Sequence, residues 1–290
     1  MDGLKVENLT KSYPGGVRAL DRVSLTVARG LYGLLGRNGA DKSTLMRTLA
    51  TLQRPDSGTI SFNGIDALAD PDRMRRLLGY LPQHFGAFPG FSARELLERF
   101  AWLKGMTDGA TRHRLAAELL ERIKLLEDAD RRVVSFSGGM LRRFGIAIAL
   151  IGSPRFLIVD EPTAGLNPAE RNRFHRVLAN LAADAVVLLS THIVEDIENL
   201  CPSLVIMDSG RVVAEGTPKD LIAPLRGRLW DRVIPRGEPE PPGALSLSAT
   251  PTGTRAVSEA PSAPPEYAPR TPFLEDVYHL MQRETAARAA

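Results

Sequence analysis

A glycine-rich turn near the amino terminus has the residue types of a phosphate-binding loop. The run GRNGADKST, residues 36–44, follows an apolar run at 31–35 and precedes the helical pattern LMRTLATL. Small residues let backbone N–H groups close on an anion, and the start of the helix adds positive potential. We expect Lys42 to reach the β and γ phosphates of a nucleotide, and Ser43 to place its hydroxyl on Mg²⁺. The other predicted contacts in this loop are Gly36, Arg37, Asn38, Gly39, Ala40, Asp41 and Thr44.

Asp41 departs from the usual pattern of such a loop, G-x-x-x-x-G-K-[ST], because it stands where the second glycine is expected. A carboxylate about 4 Å from a phosphate charge costs roughly 4 kcal/mol at an effective dielectric near 20. A micromolar ligand has only about −8 kcal/mol of binding free energy in total. We therefore expect Asp41 to weaken nucleotide binding unless Mg²⁺, Lys42 or Arg37 screens it, or its side chain points outward. Taken alone, the loop also fits a glycine-containing turn of another α/β protein.

A second candidate group ends the apolar run FLIVDEP, residues 156–162. We expect Asp160 to hold Mg²⁺ through a water molecule. Glu161 is expected to accept a proton from, or orient, the water that attacks the γ phosphate. The alternative is an ordinary strand end that faces solvent.

The motif SFSGGM provides a second candidate anion site. Ser137, Gly138 and Gly139 open a helix predicted from about residue 139 to residue 151, and the free N–H groups at its start can face an anion. Taken singly, a plain helix cap is the better interpretation.

Three further residues are weak candidates individually. His192 follows the buried run LLSTH and is a candidate contact to the γ phosphate, Tyr13 is a candidate to stack on a base, and Gln83 in YLPQ is a candidate to sense Mg²⁺ and the attacking water. A lone histidine is more often structural.

The elements that position these residues alternate between short apolar runs and longer helical patterns up to about residue 217. This alternation predicts an α/β domain with a mostly parallel sheet. Residues 156–159 and 186–189 are continuous apolar runs suited to buried parallel strands, whereas residues 23–27 alternate between apolar and polar, as in an antiparallel edge.

Two regions differ from this pattern. No good strand is predicted between residues 92 and 151, where apolar residues recur at helical spacing, so we expect a helical insert over about 84–152. Ten of the 21 prolines fall between residues 235 and 272. We expect an extended linker or a poorly ordered small subdomain there, followed by a short helix over 273–283. The predicted division is 1–225, 226–272 and 273–290.

Composition excludes some classes of protein. With 37 basic and 34 acidic residues the net charge is +3, and the arginines are scattered, so we expect no nucleic-acid partner. The single cysteine, Cys201, excludes an internal disulfide. No run approaches the ~18 apolar residues that cross a bilayer, and the amino terminus lacks the pattern of a secretory signal.

In their order along the chain, the motifs make residues 4–217 resemble the nucleotide-binding subunit of ATP-binding-cassette (ABC) transporters. The resemblance implies a P-loop NTPase cassette with a mixed sheet core, an antiparallel β edge and a helical signature subdomain. Met140 stands where the signature of the family often has glutamine. Asn167 stands where the D-loop of the family usually has aspartate. The matches are Tyr13 with the adenine-stacking aromatic, 36–44 with the Walker A loop, Gln83 with the Q-loop, 137–139 with the signature, 156–161 with Walker B, 164–168 with the D-loop and His192 with the switch histidine.

The resemblance also implies cofactors and partners. ATP and Mg²⁺ are the expected cofactors, with Ser43, Gln83 and Asp160 at the metal and Glu161, His192 and Gln83 in hydrolysis. Two cassettes, identical or different, would face each other head to tail, so that the signature turn of one serves the γ phosphate bound by the other.

An integral membrane permease on a separate chain is the expected transport partner, because the carboxy-terminal LEDVY motif resembles the end of subunits that serve bacterial exporters. It would dock against the helical insert and residues 84–91, and it would hold the chain on the inner, cytoplasmic face of the cell membrane. A buried hinge loop is the alternative interpretation of residues 84–91. Two alternatives stay open. One is a subunit that Asp41 has weakened and that completes the site of an intact partner; the other is a soluble ABC protein.

Overall fold

The computed structural model describes residues 3–83, 85–86, 88–163 and 166–289. Within these residues we number the strands and α-helices in chain order. The strands are β1 (Gly3–Ser12), β2 (Arg18–Ala28), β3 (Gly30–Leu35), β4 (Ser57–Phe62), β5 (Ile65–Asp66), β6 (Leu78–Leu81), β7 (Phe156–Asp160), β8 (Val186–Thr191), β9 (Ser203–Asp208), β10 (Arg211–Gly216), β11 (Leu229–Pro235), β12 (Ser246–Thr250), β13 (Gly253–Glu259) and β14 (Ala268–Pro269). The helices are α1 (Lys42–Leu49), α2 (Pro71–Leu77), α3 (Ala93–Leu103), α4 (Gly109–Arg122), α5 (Gly138–Ala149), α6 (Pro168–Ala182), α7 (Val194–Leu200), α8 (Pro218–Ile222) and α9 (Leu274–Ala289).

A six-stranded mixed sheet forms the centre of the cassette, in the order β10-β9-β3-β8-β7-β6. Its strands pair in parallel except β10, which is antiparallel to β9. Both faces are covered: in β7, Phe156 and Ile158 belong to one apolar core, while Leu157 and Val159 belong to the other. This double burial explains the continuous apolar runs and confirms the predicted parallel strands.

The predicted antiparallel part is a sheet of its own, in the order β2-β1-β4-β5. Along β2, Val23, Leu25 and Val27 are buried and the residues between them are exposed. The period of two in the sequence therefore reflects one packed face and one solvated face.

The predicted helical insert is present as α3, α4 and α5. Within the part of the chain described between residues 92 and 151 there is no strand, only an isolated bridge between Ser92 and Arg132. Ser92 and Glu95 form a capping box that starts α3. Leu97, Leu120 and Phe144 join the three helices in one apolar core.

The proline-rich segment forms a four-stranded antiparallel sheet, β12-β13-β11-β14, so the extended-linker alternative is wrong for residues 229–269. Prolines are compatible with this sheet because Pro235 ends β11 and Pro269 lies in the two-residue edge strand β14. Leu229 and Val257 are buried in the main core together with Leu274 of α9. The short helix predicted at 273–283 is longer in the structure, Leu274–Ala289.

None of the helices in the described ranges has the length and apolar character needed to cross a membrane.

Candidate functional site

The candidate residues meet because four neighbouring strands run in the same direction. β3, β8, β7 and β6 are adjacent and parallel, so their carboxyl ends share one edge of the sheet. In α/β sheets this edge is where ligands bind. The residues that follow these four ends are Gly36, His192, Glu161 and Gln83.

The phosphate loop lies between β3 and α1. A Cβ on Gly36 would lie 2.7 Å from the carbonyl oxygen of Met207, so this position accepts only glycine. Gly39 adopts a φ of +86°, which also favours glycine. Ala40 is buried, Asn38 is exposed, and Arg37 pairs through Nε with Asp208 Oδ1 at 3.1 Å.

Lys42 is buried at the centre of the loop. Its Nζ donates to the carbonyl oxygens of Gly36 at 2.6 Å and Arg37 at 3.2 Å. The same nitrogen lies 3.1 Å from Glu161 Oε1. The ammonium group therefore joins the loop to the end of β7.

Asp41 does not form an ion pair with any described residue. Its backbone has a φ of 66°, a left-handed conformation that suits glycine and that aspartate tolerates better than most residues. Its Oδ1 accepts a hydrogen bond from Thr44 Oγ1 at 3.2 Å on the first turn of α1. Burial raises the pKa of Asp41, because it disfavours the carboxylate more than the Thr44 hydroxyl stabilises it.

Asp160 and Ser43 offer oxygen ligands to a divalent cation. Asp160 is 2% exposed, and its Oδ1 has no hydrogen-bond partner among the described residues. Burial raises the pKa of Asp160, although the hydroxyls of Ser190 and Ser43 oppose this shift. A hard cation that uses one carboxylate, a hydroxyl and phosphate oxygens fits this orphaned acceptor. The residues present therefore fit the predicted Mg²⁺.

Glu161 and His192 form the second half of this edge. His192 Nδ1 lies 2.6 Å from Glu161 Oε2, while the other oxygen of Glu161 faces Lys42. Glu161 is buried with a φ of 47°, and His192 is 42% exposed on the side chain. The three side chains form one chain of contacts from the loop to the end of β8.

Gln83 lies two residues beyond β6, and Arg142 of α5 donates to its carbonyl oxygen. Burial lowers the pKa of Arg142, and the charges of Asp160 and Glu161 oppose that effect. Sequence reasoning missed Arg142, which connects the helix after the signature turn to this edge. The pair of arginines that begins three residues after the turn was the available signal.

Tyr13 is 38% exposed in the turn after β1, and its hydroxyl donates to Gln53 Oε1 at 3.0 Å. An exposed ring is accessible to a base, so its predicted role as a stacking residue stays a prediction.

The signature turn is the amino-terminal cap of α5. Ser137 Oγ accepts from the N–H of Met140 at 3.2 Å and donates to Glu170 Oε1 at 3.3 Å. No hydrogen bond or ion pair within the described ranges joins Ser137, Gly138 or Gly139 to the phosphate loop. The structure thus does not bring the two predicted anion sites of one chain together.

Part of the predicted D-loop, Ala164 and Gly165, lies outside the described residues. Asn167 caps α6, because its Oδ1 accepts from the N–H of Glu170 at 2.9 Å. Asparagine caps a helix as well as aspartate does, so the departure at this position leaves the start of α6 intact.

In the predicted docking segment, His84 and Ala87 lie outside the described residues. Phe85 packs 6.4 Å from Phe144 between ring centres, and Phe88 packs 5.6 Å from Phe100. Phe88 remains 39% exposed. The segment is thus anchored in the helical subdomain and presents one aromatic ring to solvent.

Sequence reasoning also missed a buried polar cluster around Asp196 of α7. Asp196 is fully buried, and it accepts from Thr163 Oγ1 and lies 3.0 Å from His175 Nε2. Burial alone would raise the pKa of Asp196, but His175, Thr163 and Arg171 outweigh it, so the pKa is lowered. The cluster joins the segment after β7 to the helix after His192.

Replacing Asp196 with asparagine is expected to destabilise the fold by about 2 kcal/mol at pH 7, the scale of a hydrogen bond to a charged group. Because the folded pKa is lowered, the ionised group stabilises above pH ~4, and this contribution is lost as pH falls through the folded pKa. Urea unfolding between pH 3 and 8 measures both the loss of stability at pH 7 and its decrease at low pH. The exposed neighbour Glu195, as Glu195→Gln, is the control and should stay within about 0.5 kcal/mol. An Asp196→Asn effect that does not shrink at low pH would contradict this account.

The mixed sheet, the phosphate loop before α1 and the acidic end of β7 define a P-loop NTPase cassette. Comparison with known proteins makes the class more specific. The family model described as ABC transporter matches residues 20–164. Over 220 residues the chain is 40% identical to the daunorubicin/doxorubicin resistance ATP-binding protein DrrA of Streptomyces peucetius, a match that covers 75% of this chain and 66% of that protein.

Other relatives agree. The Nod factor export ATP-binding protein I of Ralstonia nicotianae is 39% identical, with 76% of this chain and 68% of that protein covered. A solved ATP-binding subunit of an ABC transporter superposes with a TM-score of 0.67 at 31% identity, covering 76% of this chain and 92% of that chain. The dimeric ATP-binding cassette MJ0796 bound to ADP and Pi superposes with a TM-score of 0.67 at 26% identity, and the match covers 74% of this chain and 98% of that chain. The chain belongs to the ABC transporter family, as an ATP-binding subunit.

Proposed function

We propose that the chain binds and hydrolyses MgATP at a head-to-tail interface with a second cassette, and that it thereby drives a separate integral membrane permease. The observation that carries this proposal is the chain of contacts from Lys42 through Glu161 to His192, with Asp160 and Ser43 at the same edge. These groups supply a cation, a base and metal-binding oxygens around one space. That set is what transfer of a phosphoryl group to water requires.

Nucleotide binding exchanges one partner of Lys42. In the structure, Lys42 Nζ forms an ion pair with Glu161 Oε1 at 3.1 Å. Phosphate oxygens compete for the same ammonium group, so ATP frees Glu161 to orient a water molecule. His192 then holds Glu161 through the 2.6 Å contact and faces the γ phosphate. Ser43 and Asp160 would hold Mg²⁺, which neutralises charge that develops on the phosphates.

The second cassette completes the site. Because Gly138 and Gly139 are not bonded to the phosphate loop of their own chain, their N–H groups are available to the nucleotide of a facing cassette. In this arrangement Arg142 and Gln83 connect α5, which begins at the signature turn, to the edge of the sheet that holds the nucleotide of the same chain.

Mixing two inactive variants tests this geometry. Lys42→Ala removes the phosphate contact, and Gly138→Asp puts a carboxylate at the signature turn, where a Cβ would meet nothing within 4 Å. Each variant alone is expected to lose at least ~90% of ATP hydrolysis, because each disables both sites of a symmetric dimer. A mixture forms heterodimers with one intact site, so hydrolysis should rise well above either variant. No rise in mixtures that still dimerise would contradict the head-to-tail arrangement.

A permease of exporter type is the proposed transport partner. Two relatives are named for drug resistance and for Nod factor export, and the carboxy-terminal LEDVY motif lies on α9. The exposed ring of Phe88 is suited to a groove contact with a permease helix. This partner would hold the chain at the inner, cytoplasmic face of the cell membrane.

We further propose the division into a cassette at 1–225, a small subdomain at 226–272 and a helix with its tail at 273–290.

A second function is favoured by one observation, the carboxylate of Asp41 in the phosphate loop. In that case the chain would bind ATP poorly and serve mainly through its signature turn. Glu161 and His192 remain in contact at 2.6 Å, which favours an active site. Measuring ATP binding and hydrolysis by the purified wild-type chain separates the active ATPase from the weakened subunit. Failure to bind ATP at millimolar concentration supports the weakened subunit.

A further inference from the structure

A cavity of about 650 Å³ lies outside the nucleotide site, between the end of α4, one face of α5 and α6. Ser137 and Glu170 lie at one end and Asn180 at the other. Ten residues of α6 separate Glu170 from Asn180, which corresponds to about 15 Å along the helix. Cavities of this size bind small organic ligands.

The lining of this cavity is strongly basic. Five basic side chains face two carboxylates, and one of these, Asp128, is already paired with Arg131. None of these five basic residues forms an ion pair with any residue that the structure describes. Besides Arg143, they are Arg122, Lys124, Arg173 and Arg176.

Arg143, the fifth basic residue, is buried with only 6% of its surface exposed. One terminal nitrogen donates to the carbonyl oxygens of Ile123 at 2.8 Å and Lys124 at 3.1 Å. Its Nε has no hydrogen-bond partner in the described part of the chain. Arg143 therefore keeps one donor that the described residues do not use, on a side chain that lines the cavity.

The remaining walls are apolar, formed by Ile123, Leu125, Met140 and Val177. We propose that this cavity binds a soluble small molecule that carries a phosphate group with at least two negative charges, with its organic part against the apolar walls. Guanidinium groups bind phosphate through charge-assisted, often paired hydrogen bonds, so clustered arginines match this chemistry.

The site is separate from the proposed nucleotide of a facing cassette. That nucleotide is expected at the N–H groups of Gly138 and Gly139, whereas the basic side chains lie at the end of α4, at Arg143 and along α6. Glu170 connects the two places, because it lines the cavity and accepts from Ser137 Oγ at 3.3 Å. A ligand in the cavity would therefore lie beside the signature turn.

Calorimetric titration of the full chain with inorganic pyrophosphate tests the proposal. The wild type is expected to bind two pyrophosphates, one at the phosphate loop and one in the cavity. Lys42→Ala should remove the first event, whereas Arg173→Gln with Arg176→Gln should weaken the second at least tenfold and leave the first within about twofold. Arg73→Gln with Arg76→Gln on the exposed face of α2 is the matched control and should change neither.

Thermal unfolding of each variant establishes that it is folded. A single pyrophosphate per wild-type chain, lost with Lys42→Ala, would overturn the proposal. An equal loss of the second pyrophosphate in the Arg173/Arg176 variant and in the Arg73/Arg76 control would also overturn it. Binding to vesicles of phosphatidylglycerol that requires Arg173 and Arg176, without any second pyrophosphate event, would overturn the assignment to a soluble ligand.

Discussion

Replacing Glu161 with glutamine is expected to reduce ATP hydrolysis by at least a hundredfold while ATP binding is retained. A general base contributes about 10²- to 10⁴-fold to such reactions. Glutamine keeps the shape of the side chain but neither accepts the proton nor carries the charge that faces Lys42 at 3.1 Å. Because that charge also competes with phosphate for Lys42, the variant should bind ATP at least as tightly as the wild type.

Bound ATP that is not hydrolysed should hold two chains together. Gel filtration of Glu161→Gln with MgATP should show a dimer that the wild type forms only transiently. Glu195→Gln, a neutral change at an exposed carboxylate, serves as the control and should keep wild-type hydrolysis. Hydrolysis by Glu161→Gln above a tenth of the wild-type rate would show that another group activates the water.

The histidine gives a second measurement at the same site. His192→Ala removes the 2.6 Å partner of Glu161, so its effect on hydrolysis should not add to that of Glu161→Gln. Additive losses would mean that the two residues act independently.

Replacing Asp41 with glycine is expected to tighten ATP binding roughly tenfold to a hundredfold. A carboxylate near the phosphates costs about 4 kcal/mol at close range, and Lys42 and a bound metal reduce this figure. Glycine also adopts the φ of 66° that Asp41 has in the structure without strain, so the substitution is compatible with the backbone of the loop. Glycine would also release the Thr44 hydroxyl, which donates to the Asp41 carboxylate at 3.2 Å.

Asparagine at this position distinguishes the effect of the Asp41 charge on ATP binding from the effect of the backbone conformation. Asp41→Asn keeps a residue that tolerates the left-handed conformation and an oxygen that can accept from Thr44, but it removes the charge. If charge dominates, asparagine should recover most of the gain seen with glycine. Equilibrium titration with a fluorescent ATP analogue measures the Kd, with the exposed Asp184→Asn as control. An unchanged Kd in both variants would refute the electrostatic argument.

The pH dependence of binding provides an independent check. Burial raises the pKa of Asp41, so the carboxylate is neutralised at higher pH than an exposed one. As pH falls through that raised pKa, the wild type should bind ATP progressively more like Asp41→Asn does at the same pH. A constant ratio of the two Kd values would contradict the assignment of the penalty to this charge.

The cassette and its nucleotide residues were predictable from sequence because their signals are local. A glycine-rich turn between a strand and a helix, two acids at the end of an apolar run and a histidine after another such run are each readable within ten residues. Parallel strands then place their carboxyl ends at one edge, so the meeting of Gly36, Glu161 and His192 followed from fold class.

Composition was misleading at the carboxy-terminal region. Ten prolines indicated a linker, yet the segment forms a sheet because Pro235 and Pro269 lie where no ladder N–H is needed and Leu229 and Val257 find a core to pack against. Whether a few apolar residues can be buried depends on neighbours that are distant in sequence.

By itself, the sequence determined the order of motifs, the class of fold and the residue types around the phosphates, since these depend on short-range pattern. Only the tertiary structure decided which groups touch: that Lys42 pairs with Glu161, that Asp41 accepts from Thr44, that Asp196 is buried against His175 and Thr163, and that Arg143 and Arg173 line one cavity. Side-chain partners and burial come from chain segments tens to hundreds of residues apart, and no local pattern encodes those distances.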